Sequence, residues 1–411
     1  MNDVEGQTAN YDESKVPEYT LPELLVSSDG TVITTAEEWN TIRRPEILAL
    51  FEKHVYGKQP ARVPQAVYEQ LIHIPDALEG KATLREIKIT FPSRKNSPEI
   101  FLLLWTPNKG SGPFPGFVGL NFNGNHATHP HPAIRIPTGW MRPSNDGSVV
   151  DNRATEEGRG KSASRWPVEM IIDRGYAVGT VYCGDIDPDV HDEFRNGVHA
   201  MYPRFKNRNG ERADDAWGTI AAWSWGLSRV LDYFSSDSTI HHDRIAVVGH
   251  SRLGKTSIWA GVTDPRFALV ISNNSGCGGA ALNRRAFGET VARINTSFPH
   301  WFCDKFKEYN NNENALPVDM HMLLALAAPR PVYVASAEGD RWADPKGEFL
   351  SLIHAAPAYR LFGKNPVDQP AMPPVNQPVQ ADTGYHIRTG KHDINTYDWT
   401  QYLDFADKHL R

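Results

Sequence analysis

Apolar positions fall into short, nearly continuous runs separated by stretches with helical spacing. Strands are predicted at Leu84–Phe91, Ile100–Thr106, Gly116–Phe122, Ala177–Cys183, Arg244–Val248, Ala268–Asn273 and Val332–Ala335. From Gly116 onward almost every position in these runs is apolar, as in strands covered on both faces. Helices are predicted at Ala36–Lys53, Val168–Asp173, Asp214–Tyr233, from just after Ser251 to Val262, Met320–Leu326 and Ile394–Leu410. In the third of these, acidic residues open the first turn, and Trp217, Ile220, Leu227 and Leu231 share a face. Strands alternating with helices predict an α/β fold: a three-layer αβα sandwich around a mostly parallel central sheet. No repeat of about 20 to 50 residues is present, which removes solenoids and propellers.

Two stretches break this rhythm. Pro137–Trp166 is rich in Gly, Ser, Asn and charge, and Ala356–Gly384 carries Pro, Gln and Asn with few apolar residues. Neither holds enough apolar residues for its own core, so both are expected to be insertions around a site on one domain. Residues 1–20 form a polar N-terminal tail, and 21–411 are expected to be one domain, although 411 residues alone suggest two or three.

Composition narrows the function. With 43 Lys+Arg against 49 Asp+Glu and no basic cluster, nucleic acid is not an expected partner. The longest apolar runs are far short of the ~20 residues that span a bilayer, so no membrane association is expected. The three cysteines, Cys183, Cys277 and Cys303, have neither zinc-site nor disulfide-framework spacing, and no metal or cofactor is implied. Met1–Tyr19 lacks the basic and apolar regions of a signal peptide. The 11 tryptophans stand out, because Trp both fills cores and stacks on sugar faces.

The most informative segment is Arg244-Ile-Ala-Val-Val-Gly-His-Ser-Arg-Leu-Gly-Lys255. A buried strand ends at Gly249, Ser251 sits at the apex, and a helix follows at once. A serine in such a turn is held above the sheet, beside the free N–H groups and partial positive charge of a helix N-terminus. That suits an acyl-transfer nucleophile. Leu253 occupies the last glycine position of the usual G-x-S-x-G elbow, with Gly254 one residue later, and a plain helix cap is the competing role for Ser251.

The base and acid should follow in the order serine, acid, histidine. His392 lies in the Gly-containing segment Thr389–Asn395 just before the last helix, and is preferred to His386, whose neighbours Tyr385–Arg388 read as a short strand. Beyond the strand ending at Ala335, the segment Ser336–Trp342 offers Glu338 and Asp340. Asp340 is preferred, because it lies further into the loop and has more freedom to turn toward His392.

These residues resemble a known family. Gly249–Lys255, Asn274-Ser-Gly-Cys-Gly-Gly279, Gly288-Glu-Thr290, Phe298-Pro-His-Trp-Phe302 and Glu338-Gly-Asp-Arg-Trp342 are similar, in this order, to segments of the glucuronoyl esterases, carbohydrate esterase family 15. The resemblance runs from about Ala36 to Leu410. It implies a metal-independent serine esterase of the α/β-hydrolase fold that cleaves the ester between 4-O-methyl-glucuronic acid on xylan and lignin alcohols. It also implies Ser251 as nucleophile, His392 as base, Arg252 as oxyanion stabiliser, Lys255 as a donor to sugar hydroxyls, and Glu289 and Trp342 as uronate contacts. Trp301 is a weaker sugar-facing candidate. Arg252 and Lys255 place two cations at a helix's positive end, which is unfavourable without an anionic partner.

The chain departs from the family pattern twice. Many members carry a glutamate where Asn274 stands, so Asp340 is left as the triad acid. The fungal pattern has cysteines beside the serine and the histidine, where this chain has His250 and Asp393. That points to a bacterial-type enzyme, expected as a monomer acting on glucuronoxylan and lignin–carbohydrate esters. A polymeric wall substrate implies a secreted or periplasmic protein. The alternatives are an acetyl-xylan or other carbohydrate esterase and, from another class, a non-catalytic carbohydrate-binding homologue.

Overall fold

The computed structural model describes residues 9–202 and 210–411. Ten strands form one sheet: β1 Val67–Ala77, β2 Ala82–Thr90, β3 Ile100–Pro107, β4 Phe114–Asn121, β5 Ala177–Tyr182, β6 Ile240–His250, β7 Leu269–Asn273, β8 Val332–Ala337, β9 Val379–Gln380 and β10 Thr383–Arg388. Their spatial order is β1-β2-β3-β5-β4-β6-β7-β8-β10-β9. From β5 to β10 every neighbouring pair is parallel, whereas β1 to β3 pair antiparallel with one another, as do β3 with β5 and β9 with β10. The predicted mostly parallel sheet is therefore the central part of a mixed one.

Seven helices position the site: α1 Arg44–His54, α2 Val168–Asp173, α3 Thr219–Phe234, α4 Arg252–Thr263, α5 Met320–Ala325, α6 Pro345–Arg360 and α7 Thr396–His409. Strand side chains alternate between the two faces. Leu102, Leu104, Val118, Val247 and Val334 pack under α1, α3, α4, α5 and α6, whereas Leu103, Trp105, Phe117, Val248 and Tyr333 pack under α2 and α7. β3 is buried at all eight positions, which explains its continuous apolar run. At about 1.5–3 kcal/mol per fully buried large aliphatic or aromatic side chain, two such cores drive the three-layer arrangement.

Several boundaries differ from the sequence reading. α3 begins at Thr219 rather than Asp214; Asp215 instead pairs with Lys58 at 2.7 Å, so the acids do not serve the helix dipole. The expected loop Ala356–Gly384 is a correction: its first five residues complete α6, which holds Pro357 inside it, and its end supplies β9 and the start of β10. Pro357 and the polar residues beyond it masked a helix whose Phe349, Leu352 and Ala355 are buried. β1 lacks an apolar run and forms an edge strand, held by its register with β2. Among the described residues, no helix is long and apolar enough to cross a membrane.

Candidate active site

The chemistry gathers at the C-terminal ends of the parallel strands, where α/β sheets place their sites. β6 ends at His250, Ser251 turns with φ +59° and ψ −130°, and α4 starts at Arg252. A non-glycine residue at positive φ is strained and needs support. Ser251 N–H donates to the Asn273 carbonyl of β7 at 2.9 Å, and the Ser251 carbonyl accepts from Gly254 and Lys255 N–H. Gly249 is required because a Cβ there would lie 1.9 Å from the Leu253 carbonyl oxygen. At position 253, Leu is buried in the core, while Gly254 takes the close approach to β7, its Cβ position being 3.1 Å from the Asn273 oxygen. The displaced glycine thus serves the same turn. Ser251 does not cap α4 through its side chain, which removes the competing role.

His392 follows β10 and Asp340 follows β8. Their loops are joined by backbone bonds from Glu338 N–H to the Arg388 carbonyl and from Gly339 N–H to the Gly390 carbonyl, both 2.9 Å. His392 Nδ1 lies 2.6 Å from Asp340 Oδ2, which also accepts from Asn274 Nδ2 at 2.7 Å. Asp340 is buried and Glu338 exposed, so the carboxylate choice made from the sequence is the one that meets the histidine. With Nδ1 engaged, Nε2 is the nitrogen left for proton transfer. His386 belongs elsewhere: it is buried, with Nε2 2.9 Å from Asp398 Oδ1 on α7, while Arg388 Nε donates to Asp398 Oδ2.

Beside the nucleophile turn, the His250 ring lies 4.5 Å from that of His392. Asn273 Nδ2 donates to the Tyr402 hydroxyl, so Asn273 Oδ1 accepts from His250 Nδ1 at 2.6 Å. Burial, followed by the charge of His392, keeps the His250 imidazole neutral, well below the usual histidine range. Asp393 receives Arg165 Nε at 2.7 Å, which ties the histidine loop to the 137–166 insertion. Cys183, Cys277 and Cys303 are all buried free thiols.

Arg252 and Lys255 both have protein carboxylate partners. Arg252 Nε lies 3.0 Å from Asp189 Oδ2, and its guanidinium sits 4.8 Å from the Phe122 ring centre and 5.4 Å from that of Trp301. Whereas Arg252 is held to it as an ion pair, Asp189 accepts hydrogen bonds from His300, Trp301 and Arg142. Burial alone would raise its pKa, but the His300 bond and the charges of Arg252 and Arg142 hold it below the usual carboxylate range. Trp301 is consequently a buried support stacked on Phe298, at 3.7 Å between ring centres. Lys255 is buried, and its three protons meet the carbonyls of Ser275 and Cys277, both at 2.6 Å, and Glu289 Oε2 at 3.3 Å. The two cations at the helix end therefore do not by themselves demand a ligand. Trp342 is half-buried, and its carbonyl accepts from Glu289 N–H at 3.0 Å, so these two candidates share one corner of the site with Lys255.

Toward the 137–166 insertion lies a cavity of about 140 Å³ lined by Phe122, Trp140, Arg142, Tyr182 and Arg252. A second, of about 340 Å³, runs past Lys161 and Arg165 to Asp393.

Asp189, Asn274, His250 and Glu348 are the functional positions that sequence reasoning did not single out for these contacts. Asp185, Asp187 and Asp189 follow β5 closely, and acids at the C-terminal end of a parallel strand were the available signal for the first of them. Glu348 on α6 is fully buried beneath Asn274; it accepts from Ser275 N–H at 2.7 Å, Gly276 N–H at 3.0 Å and the Ser336 hydroxyl at 2.6 Å. Burial pushes its pKa up to about 8, with Asp340 adding to the rise. A carboxyl raised above its ordinary value of 4.5 contributes stability in full below that pH, and the contribution is lost as pH climbs through about 8. Glu348→Gln keeps an oxygen for the two N–H groups. Its unfolding temperature is therefore expected to fall less than that of the wild type between pH 6 and 9 in calorimetry; equal falls would refute the assignment.

A serine at a left-handed strand-to-helix turn of such a sheet, with a histidine and a buried carboxylate on the following strand ends, defines the class: a serine esterase of the α/β-hydrolase fold. A family model for fungal glucuronyl esterases matches residues 210–363. Carbohydrate esterase MZ0003, from an unknown prokaryotic organism, is 49% identical over 98% of this chain and 92% of its own length. Among solved structures, a promiscuous CE15 esterase from a marine bacterial metagenome superposes with a TM-score of 0.92 at 49% identity, covering 98% of this chain and 100% of that one. A glucuronoyl esterase from Solibacter usitatus gives a TM-score of 0.90 at 46% identity, covering 97% and 100%. The chain belongs to the glucuronoyl esterase family, carbohydrate esterase family 15.

Proposed function

We propose that this protein hydrolyses esters of glucuronic acid, with or without its 4-O-methyl group, as they occur between glucuronoxylan and lignin alcohols. The observation that supports it best is the His392–Asp340 pair, with the His392 ring 4.5 Å from that of His250, the neighbour of the positive-φ Ser251, in a chain whose relatives of 46–49% identity include a glucuronoyl esterase. Ser251 Oγ attacks the ester carbonyl while His392 Nε2 takes its proton, and Asp340 stabilises the imidazolium. The Arg252 guanidinium, aimed by Asp189, and the α4 backbone N–H groups receive the developing oxyanion. His392 protonates the departing alcohol, and water then cleaves the acyl-enzyme with the same groups in reverse roles.

Lys255 and Glu289, 3.3 Å apart, would take a sugar hydroxyl between them, the Glu289 contact being the longest of the three that Lys255 makes. Trp342 lies against the uronate ring. A wall polymer does not enter cells, so the enzyme acts in the periplasm or outside.

Rates on benzyl glucuronate, benzyl galacturonate and p-nitrophenyl acetate test the reading. Glucuronate is expected to exceed acetate in kcat/KM by about 100-fold or more, because only the uronate engages Lys255, Glu289 and Trp342. A preference for acetate would make the protein an acetyl esterase, and failure of a fluorophosphonate to label Ser251 would make it a binding homologue.

A further inference from the structure

Residues 10–13 of the polar N-terminal tail pack on the loops that carry Glu289 and Trp342. The Asn10 carbonyl accepts from Gly288 N–H at 2.8 Å, one residue before Glu289. The Tyr11 ring stands edge-on to Phe287, 6.1 Å between centres, and the Arg341 guanidinium lies 5.3 Å over Tyr11, one residue before Trp342. Glu13 accepts from Arg285 Nη2 at 2.7 Å with one oxygen and from Lys346 Nζ at 2.8 Å with the other. Arg285 is buried and donates from Nε to Asp344, whose own carboxylate caps α6. Asn10, Tyr11 and Glu13 thus join residues 285–288 to residues 341–346, the last two of which open α6. The segment keeps its shape through Asp12, whose carboxylate accepts from Ser14 N–H at 3.0 Å and whose N–H donates to the Asn10 side chain at 2.9 Å.

Neither tied loop carries Ser251 or His392, and Asp340, which directly precedes Arg341, has its carboxylate fixed separately by His392 and Asn274. What they carry is Glu289, which reaches Lys255, and Trp342, whose carbonyl holds Glu289 N–H. The strap's contacts fall on Arg285, Phe287, Gly288, Arg341 and Lys346, beside the sugar contacts, and none of them is made to Ser251, His392 or Asp340 themselves. Positioning of this kind affects reactivity only toward a substrate that uses the positioned groups.

We propose that Tyr11 and Glu13 are positioning residues for the uronate subsite: by clamping the 285–289 loop against the 341–346 loop, they hold Glu289 and Trp342 in register and set the preference for a uronate ester over an ester without a sugar. This rests on the glucuronate-ester reading of the site. Exposed ion pairs are individually weak, so the informative variant removes both contacts.

In the full chain, Tyr11→Ala combined with Glu13→Ala is expected to raise KM for benzyl glucuronate about tenfold with kcat within about twofold, and to leave p-nitrophenyl acetate hydrolysis unchanged. Tyr11→Phe, which keeps the ring, restores the wild-type KM when it replaces Tyr11→Ala together with native Glu13. Equal losses on both esters, or no change on either, would overturn the proposal, and so would a fall in kcat alone. A wild-type protein that hydrolyses p-nitrophenyl acetate but not benzyl glucuronate would overturn the glucuronate reading itself, and the strap's role with it.

Discussion

Ser251→Ala is expected to lower kcat/KM for benzyl glucuronate by about 10⁴-fold or more, with an unfolding temperature close to that of the wild type. The two halves of this result have separate causes. Removing Oγ removes the proposed nucleophile, whereas the turn is held by the backbone bonds of residue 251 with Asn273, Gly254 and Lys255, which alanine retains. Ser251 Oγ makes no capping bond to α4, so no helix stabilisation is lost. Alanine and serine also bear the same strain at φ +59°, whereas glycine does not, so Ser251→Gly is expected to be more stable than Ser251→Ala while equally inactive. Steady-state kinetics with thermal unfolding of the three proteins checks this. An alanine variant within tenfold of wild-type activity would sink the nucleophile assignment.

Asp340→Asn is expected to cost about 10³–10⁴-fold in kcat at neutral pH, with little change in KM. Asp340 Oδ2 receives both the His392 Nδ1 proton and the Asn274 amide. An amide at position 340 with its oxygen in the Oδ2 place keeps both bonds but lacks the negative charge that stabilises the imidazolium, and with its NH₂ there it meets the Asn274 NH₂ and forces His392 into the wrong tautomer. No neighbouring carboxylate takes over: Glu338 is exposed and held by its backbone to β10, and Glu348 lies below the turn on three donors of its own. Because the side chain at 274 already touches Asp340, adding Asn274→Glu to Asp340→Asn is expected to return part of the activity. If the single variant loses less than about tenfold, the orienting carboxylate is another residue.

Much of the fold was readable because periodicity is a local property. The continuous apolar runs of β3, β4, β5 and β7 needed only their own residues to announce strands buried on both faces. The elbow was readable for the same reason, since Gly249, Ser251 and Gly254 meet steric demands within one turn. α6 was missed because Pro357 and the polar stretch after it outweighed a buried stripe, and β1 because an exposed edge strand has no apolar signature.

The site divides in the same way. By itself the sequence determined the α/β class, the strand-to-helix turn at Ser251 and the resemblance to glucuronoyl esterases, and it put forward Ser251, Asp340 and His392 as candidates, all carried by short segments whose chemistry and sterics are self-contained. Tertiary structure alone decided that Asp340 and not Glu338 meets His392, that His386 is tied to Asp398, that Asp189 pairs with Arg252, that Lys255 is enclosed by carbonyls and Glu289, and that residues 10–13 lie on the loops that carry Glu289 and Trp342. These contacts join residues far apart in the chain. Which of them form is set by how strands and helices stack, and no local pattern of side chains encodes it.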